Sequence, residues 1–130
     1  MPNMKLDAVS VTSGDFAQTV TFYSLLGFSF PAFEASAQHL EAITLAGEVR
    51  LMIDDRALIK SLTGRDPVPS THSSFAIKCD SPNGVDAAVK AVKAAKFTVI
   101  KEPWDAFWGQ RYAILADPEG YMVDVFATLS

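Results

Sequence analysis

Few side chains in this 130-residue chain are equipped for chemistry, and their spacing narrows what that chemistry can be. His39 and Glu41 are two positions apart, so a strand would set both on one face. An imidazole beside a carboxylate can act as a general base or hold a polar group of a ligand. Asp124 stands alone between the apolar Met122 and Phe126. A lone carboxylate there is costly if buried without a partner. Two readings stay open: it meets a cationic or hydroxyl group of a ligand, or it is paired with Arg50 or Arg111 or simply hydrated. Trp104, Phe107, Trp108 and Tyr112 fall within nine residues of one another, with Phe33 a candidate to face them. Flat rings bury large areas with specific stacking geometry, which suits planar or extended ligands. Arg111, inside that cluster, could fix a polar group.

Other chemistries lack their parts. There is no Gly-rich phosphate loop, nucleophile elbow or pair of catalytic carboxylates, and no catalytic residue can be assigned. A net charge of −4 gives no electrostatic footprint for nucleic acid. Lys90, Lys93 and Lys96 read as a solvated helix face. No apolar run reaches the ~18 residues of a membrane span, and Met1 to Asp7 lacks the apolar centre of a signal peptide. The single cysteine, Cys79, permits no internal disulfide and shares strand parity with Phe75 and Ile77, so it reads as an inert core thiol. A soluble, cytoplasmic protein is the expectation.

The elements that must position these residues come in one order, twice. Leu6 to Thr12 alternates at the strand period, with Val9 and Val11 on one face and Ala8 and Ser10 on the other. Asp15 can cap a helix whose apolar stripe is Phe16, Val20, Tyr23 and Leu26, closed by Gly27. Strands are expected over 28–33, 38–45 and 48–53. The second half repeats this with a strand over 74–79, a helix capped by Ser81 or Asn83 with Val85, Ala88, Val89 and Val92 buried, and a strand over 97–101. A loop over 104–109 then leads into a hairpin. Its turn is Asp117-Pro118-Glu119-Gly120: the aspartate can bond the backbone two residues on, proline presets φ, and glycine tolerates positive φ. Between the halves, 54–62 should be a short helix and 65–71 a proline-rich linker. The length suits one domain over 1–130, with pseudo-repeats at about 4–62 and 72–128.

The stretch from Trp108 to Ala127, with its Trp-Gly-x-Arg-aromatic run followed by Asp-Pro-x-Gly, resembles the C-terminal hairpin of the vicinal oxygen chelate superfamily. That superfamily comprises glyoxalase I, extradiol dioxygenases and bleomycin-resistance proteins. Phe22-Tyr23-Ser24-Leu25-Leu26-Gly27-Phe28 resembles its first helix end, and the likeness covers nearly the whole chain. It implies an α+β fold in which two βαβββ units curl into a cup. It also implies a divalent metal on four inward-facing side chains, usually two His and two Glu. The matching positions here are Ala8, Met52 (or Leu51 with the register shifted by one), Ser74 and Asp124, of which only Asp124 could ligate. His72, on the strand face of Ser74, together with His39 and Glu41, is the alternative set that could rebuild a metal site. The expectation is therefore no metal and no cofactor. The implied function is a small-molecule binder of the bleomycin-resistance type, with an antibiotic among the candidate ligands. Its ligand would be planar or partly aromatic, held by Trp104, Trp108, Tyr112, Phe33, Phe107, Arg111, Asp124, His39 and Glu41. The alternative is a glyoxalase-like or dioxygenase-like enzyme with a degenerate or rebuilt metal site. The resemblance further implies a homodimer, side by side or exchanged.

Overall fold

The computed structural model describes residues 3–70 and 74–129. Residues 8–63 hold β1 (Ala8–Ser13), α1 (Phe16–Leu25), β2 (His39–Glu41), β3 (Arg50–Asp55) and α2 (Arg56–Thr63). Residues 75–128 hold β4 (Phe75–Lys78), α3 (Pro82–Ala94), β5 (Thr98–Ala106), β6 (Gln110–Ala116) and β7 (Met122–Thr128). The sheets have orders β1-β3-β2 and β4-β7-β6-β5. In each, the first strand of the unit lies parallel to the last, with Val11 opposite Ile53 and Ile77 opposite Val125. This is the mixed α+β fold, two curled βαβββ-like units, that the repeated order predicts.

Local chemistry sets the element ends. The Asp15 carboxylate accepts from the Gln18 amide at the start of α1, and Gly27 leaves the helix at φ +97°. Ser81 caps α3 by accepting from the Gly84 amide, with Pro82 in the first turn, where its missing N–H costs nothing. The expected strand over 28–33 does not form. Pro31 cannot donate to a ladder, and Phe28, Phe30 and Phe33 turn into the core instead. One bond, from the Ile43 amide to the Ser29 carbonyl, is the backbone link that remains there. The strand expected over 38–45 shortens to His39–Glu41. The strand expected over 97–101 instead continues to Ala106, past register shifts around Lys101, so Trp104 is a strand residue and only 107–109 form the turn.

The hairpin turn behaves as its residues dictate. Asp117 Oδ1 accepts from the amides of Glu119 and Tyr121, both at 2.9 Å, and Gly120 adopts φ +96°. A Cβ on Gly120 would also lie 3.2 Å from Pro69 of the linker. Gly120→Ala is therefore expected to cost about 1–2 kcal/mol, read as a lower midpoint of urea denaturation at constant slope.

Alternation along the strands divides the molecule into an inner and an outer surface. In β7, Val123, Val125 and Ala127 are buried while Met122, Asp124 and Phe126 are half-exposed. In β3, Leu51 and Ile53 are buried while Arg50, Met52 and Asp54 are not. The buried faces pack on the helices. Val85, Val89 and Val92 of α3 join Phe22, Ala113, Leu115 and Val125, and Tyr23 of α1 joins Val11, Leu40, Leu51 and Ile53. Val123 and the partly buried Phe75, Ile77 and Tyr121 enter the second cluster, so the two units share a core. Two polar contacts cross with them. Thr12 and Tyr121 share a hydroxyl hydrogen bond at 2.6 Å, and the buried Tyr23 hydroxyl donates to Asp117 at 2.7 Å. No helix among the described residues is long and apolar enough to cross a membrane. Because the buried faces point at the shared core, the candidate polar residues of both sheets are left on the outer faces.

Candidate functional site

On the outer face of the second sheet, Ala76, Asp124 and Ile114 form one cross-strand row, and Lys78, Phe126, Tyr112 and Trp104 the next. The second row is a set of aromatic rings. Tyr112 stacks on Phe126 with centroids 5.9 Å apart and meets Trp104 edge-on at 5.6 Å. Trp108 stands edge-on to both Trp104 and Tyr112, at 6.0 and 5.4 Å. Its indole N–H donates to the Gln110 side-chain oxygen at 2.9 Å, which fixes the ring. Phe107 extends the edge against Trp108 at 5.1 Å and is 96% exposed, while Trp108 is 49% exposed. Near-perpendicular rings leave faces open between them that a further flat group could fill.

Asp124 lies diagonally below these rings. The Tyr112 hydroxyl donates to it at 2.6 Å and the Ser74 hydroxyl at 3.3 Å. Burial, reinforced by the hydrogen bond and charge of Asp124, pushes the Tyr112 phenol up to about 12, so it stays a donor at neutral pH. Neither arginine pairs with Asp124. Arg50 belongs to the other sheet, and Arg111 lies on the opposite face of β6, tied to Asp86 at 2.9 Å and Asp105 at 3.0 Å. Strand parity explains the difference, since Arg111 shares its side with Ala113 and Leu115 rather than with Tyr112. Phe33 is not part of this wall. It packs edge-on to Phe16 at 6.2 Å and against the second core cluster, drawn in with the irregular segment before β2.

The outer face of the first sheet carries a separate polar network. His39 Nδ1 meets Asp54 Oδ1 at 2.6 Å and Nε2 meets Glu41 Oε2 at 2.8 Å. The Ser10 hydroxyl donates to the other Asp54 oxygen at 2.5 Å. Arg50 continues the chain, pairing with Glu41 and with Asp7. Both ring nitrogens can donate only if the imidazole is protonated. The hydrogen bonds of Asp54 and then Glu41 hold its proton above the ordinary histidine range. Here the folded value exceeds the unfolded one. The stabilisation is complete below the unfolded pKa and is lost as pH rises through the folded one. An NMR titration of the imidazole is expected to show a raised midpoint that falls back toward the ordinary value in Asp54→Asn. No hydrogen bond, ion pair or ring contact joins this network to the aromatic face among the described residues. Thus Trp104, Trp108, Tyr112, Phe107 and Asp124 come together, His39 and Glu41 form a second group, and Arg111 and Phe33 belong to neither.

Sequence reasoning missed Phe126, Gln110, Lys101 and Asp54. Phe126 was findable, since it shares a face with Asp124 two residues on. Asp54 was not, because its segment was read as the start of α2.

The metal positions of the resembled enzymes can be tested on the same faces. Ala8 and Ser10 are the outer residues of β1, Met52 stands opposite Ser10, and Asp124 stands opposite Ala76. Alkyl and hydroxyl groups with one carboxylate do not hold a divalent cation. The donor set does not fit the metal. His72 lies outside the described residues, and both nitrogens of His39 are already engaged. Among the described residues no group of three His, Cys, Asp or Glu has an arrangement for a metal ion. Cys79 is half-buried against the first core cluster, and burial raises its thiol, as an unreactive packing residue requires.

A cavity of about 270 Å3 opens between β1, β3 and β4, lined by apolar residues such as Leu6, Val9, Phe28, Phe75 and Ile77, with Arg50 on its wall. Its volume falls below the usual ~300–1,000 Å3 of ligand sites. Its one charged group is spent on Asp7 and Glu41. The aromatic face instead combines ring surfaces with a carboxylate that no charged group among the described residues neutralises.

The family model described as Glyoxalase/Bleomycin resistance protein/Dioxygenase superfamily matches residues 5–125. No curated protein matches the sequence. Among solved structures, a glyoxalase/bleomycin resistance protein/dioxygenase family enzyme from Burkholderia phytofirmans PsJN is similar, at 21% identity and a TM-score of 0.80, over 97% of this chain and all (100%) of that one. A glyoxalase-related enzyme from Fulvimarina pelagi has 15% identity and a TM-score of 0.81, over 97% of this chain and 89% of that one. Lactoylglutathione lyase from Agrobacterium tumefaciens has 17% identity and a TM-score of 0.68, over 98% and 96%. At these identities the likeness is one of fold.

Proposed function

The chain belongs to the glyoxalase/bleomycin resistance protein/dioxygenase superfamily, and on that premise we propose that it is a metal-free protein that binds a small, planar or partly aromatic molecule, in the manner of the bleomycin-resistance branch. The observation that carries this reading is the cluster of Trp104, Trp108, Tyr112 and Phe126 beside Asp124, on a face left open by the fold. The rings supply a stacking wall and the carboxylate an orienting group. An antibiotic is one ligand of this description. The missing metal set argues in the same direction, because it removes the chemistry on which the metal-dependent enzymes of the superfamily rely.

The second reading is an enzyme, which the likeness to structures named as enzymes keeps in view. The group best placed for proton transfer is His39, but Asp54 and Glu41 already engage both of its ring nitrogens, which leaves neither free to take a proton from a substrate. Elemental analysis of the purified protein separates the readings. Sub-stoichiometric metal is expected. One Ni, Zn, Fe or Mn per chain, lost in Asp124→Ala, would overturn the metal-free proposal.

The proposal includes a cytoplasmic homodimer. Both outer faces are open, and Leu6, Ile43, Leu45 and Val49 are exposed apolar residues that a second copy would cover. Light scattering at micromolar concentration is expected to give twice the mass of one chain, and the mass of one chain would reject it.

A further inference from the structure

We infer that the aromatic face selects a cation, an alkylammonium carried on an apolar or aromatic body, rather than planar molecules in general. This rests on the reading of that face as the ligand site and adds the charge of what it takes.

The first observation is the state of Asp124. Its hydrogen-bond partners among the described residues are two neutral hydroxyls, from Tyr112 and Ser74, and no arginine, lysine or histidine pairs with it. Other carboxylates nearby do have cationic partners. Glu41 and Asp7 share Arg50, Asp54 has His39, and Asp105 and Asp86 share Arg111. Among the described residues no cation pairs with Asp124, a half-buried carboxylate beside an open aromatic cluster. Hydroxyl donors bring no counter-charge, so the carboxylate keeps its attraction for a cation, with Lys78 and Lys101 as the competing cations of the same face.

The second observation is that a cation already occupies one of those faces. Lys101 Nζ lies 4.6 Å from the centre of the Trp104 ring. Ring faces are the negative pole of the aromatic quadrupole, and tryptophan binds ammonium groups best. Trp104, Trp108 and Tyr112, mutually tilted by 63–90°, turn several such faces toward the space between them. A methylated ammonium suits the site better than a bare one, because it gives up less hydration on entering among the rings. Lys101 is a flexible, exposed side chain that a ligand cation would displace or compete with.

Benzyltrimethylammonium and its neutral carbon isostere, neopentylbenzene, have the same shape and differ in charge. Titrated calorimetrically into the full chain at low salt, the cation is expected to bind about tenfold more tightly than the isostere. Asp124→Asn should bring the two to near parity. Lys101→Gln should tighten the cation by a few fold, because it frees the Trp104 face and removes a like charge. Lys101 is solvent-exposed, so this variant carries the test if Asp124→Asn fails to fold. Equal affinity for the two probes, weakened in Trp108→Ala, would overturn the cation inference and leave the aromatic wall standing. A cation affinity that Lys101→Gln does not raise would overturn it as well. Binding of either probe that survives loss of both tryptophans would instead remove the aromatic face as the ligand site.

Discussion

Replacing Asp117 by alanine is expected to lower the stability of the chain by about 3–5 kcal/mol, because three donors lose their acceptor at once. Asp117 is 4% exposed and accepts three hydrogen bonds, from the Tyr23 hydroxyl and the amides of Glu119 and Tyr121. Alanine leaves all three donors facing a cavity, and a buried donor without an acceptor costs about 1–3 kcal/mol. The damage is not local. Tyr23 belongs to the first helix and Asp117 to the last hairpin, so the bond between them ties the two units across their shared core. Denaturation by urea should show a lower midpoint with an unchanged slope. Asp117→Asn, which keeps the shape and an acceptor for the turn amides, should lose less. Burial raises the Asp117 carboxyl above its ordinary value, against the pull of its donors. Between the unfolded and folded pKa the native state then holds a proton that the unfolded chain has released, so stability falls as pH rises through that window. That slope should be absent in Asp117→Asn.

The second large effect concerns binding. Losing Trp104 alone or Trp108 alone should weaken a stacking ligand by roughly threefold to tenfold or more, since an aromatic pair is worth ~0.5–1.5 kcal/mol beyond the area it buries. Losing both is expected to cost more than the sum. Trp104 and Trp108 brace one another and both brace Tyr112, so a single substitution leaves two rings in place while the double leaves Tyr112 without its edge contacts. A weakening on the order of a hundredfold follows in Trp104→Ala/Trp108→Ala. The fold should be unharmed. Both rings lie on the outer face, away from the residues that pack on the helices.

The repeated architecture was legible because periodicity carried it. Val85, Val89 and Val92 are three and four apart and are all buried, and Val9 and Val11 turn to one side of β1 while Ala8 and Ser10 turn to the other. The hairpin was equally plain, since Asp117 can accept from the turn amides, Pro118 presets φ and Gly120 tolerates positive φ. The failures have local causes. The segment from Phe28 to Phe33 has strand-forming residues, but Pro31 interrupts the ladder and the core takes the phenylalanines. The reach of β5 to Ala106 was hidden by Pro103 and by the register shifts around Lys101, which propensity does not encode.

The candidate site was half legible. Trp104, Trp108, Tyr112 and Asp124 do come together: Trp104, Tyr112 and Asp124 share an outer strand face, and Trp108 reaches them from the turn at 107–109. Arg111 does not join them, because one residue of register decides which face a side chain takes. His39 and Glu41 were rightly paired, yet the third member, Asp54, comes from a strand fifteen residues later in the chain. A contact of that kind depends on which strands are neighbours.

An aromatic wall on the outer face of the second sheet is proposed to hold a small planar molecule without metal. Its most direct test is a tryptophan-fluorescence titration of the metal-free protein with a panel of planar antibiotics and aromatic metabolites, repeated on Trp104→Ala and Trp108→Ala, each of which keeps one reporting indole. Saturable quenching by a subset of the panel, weakened roughly threefold to tenfold or more in each variant, is the expected result. Ligands that bind both variants as tightly as the parent would contradict it.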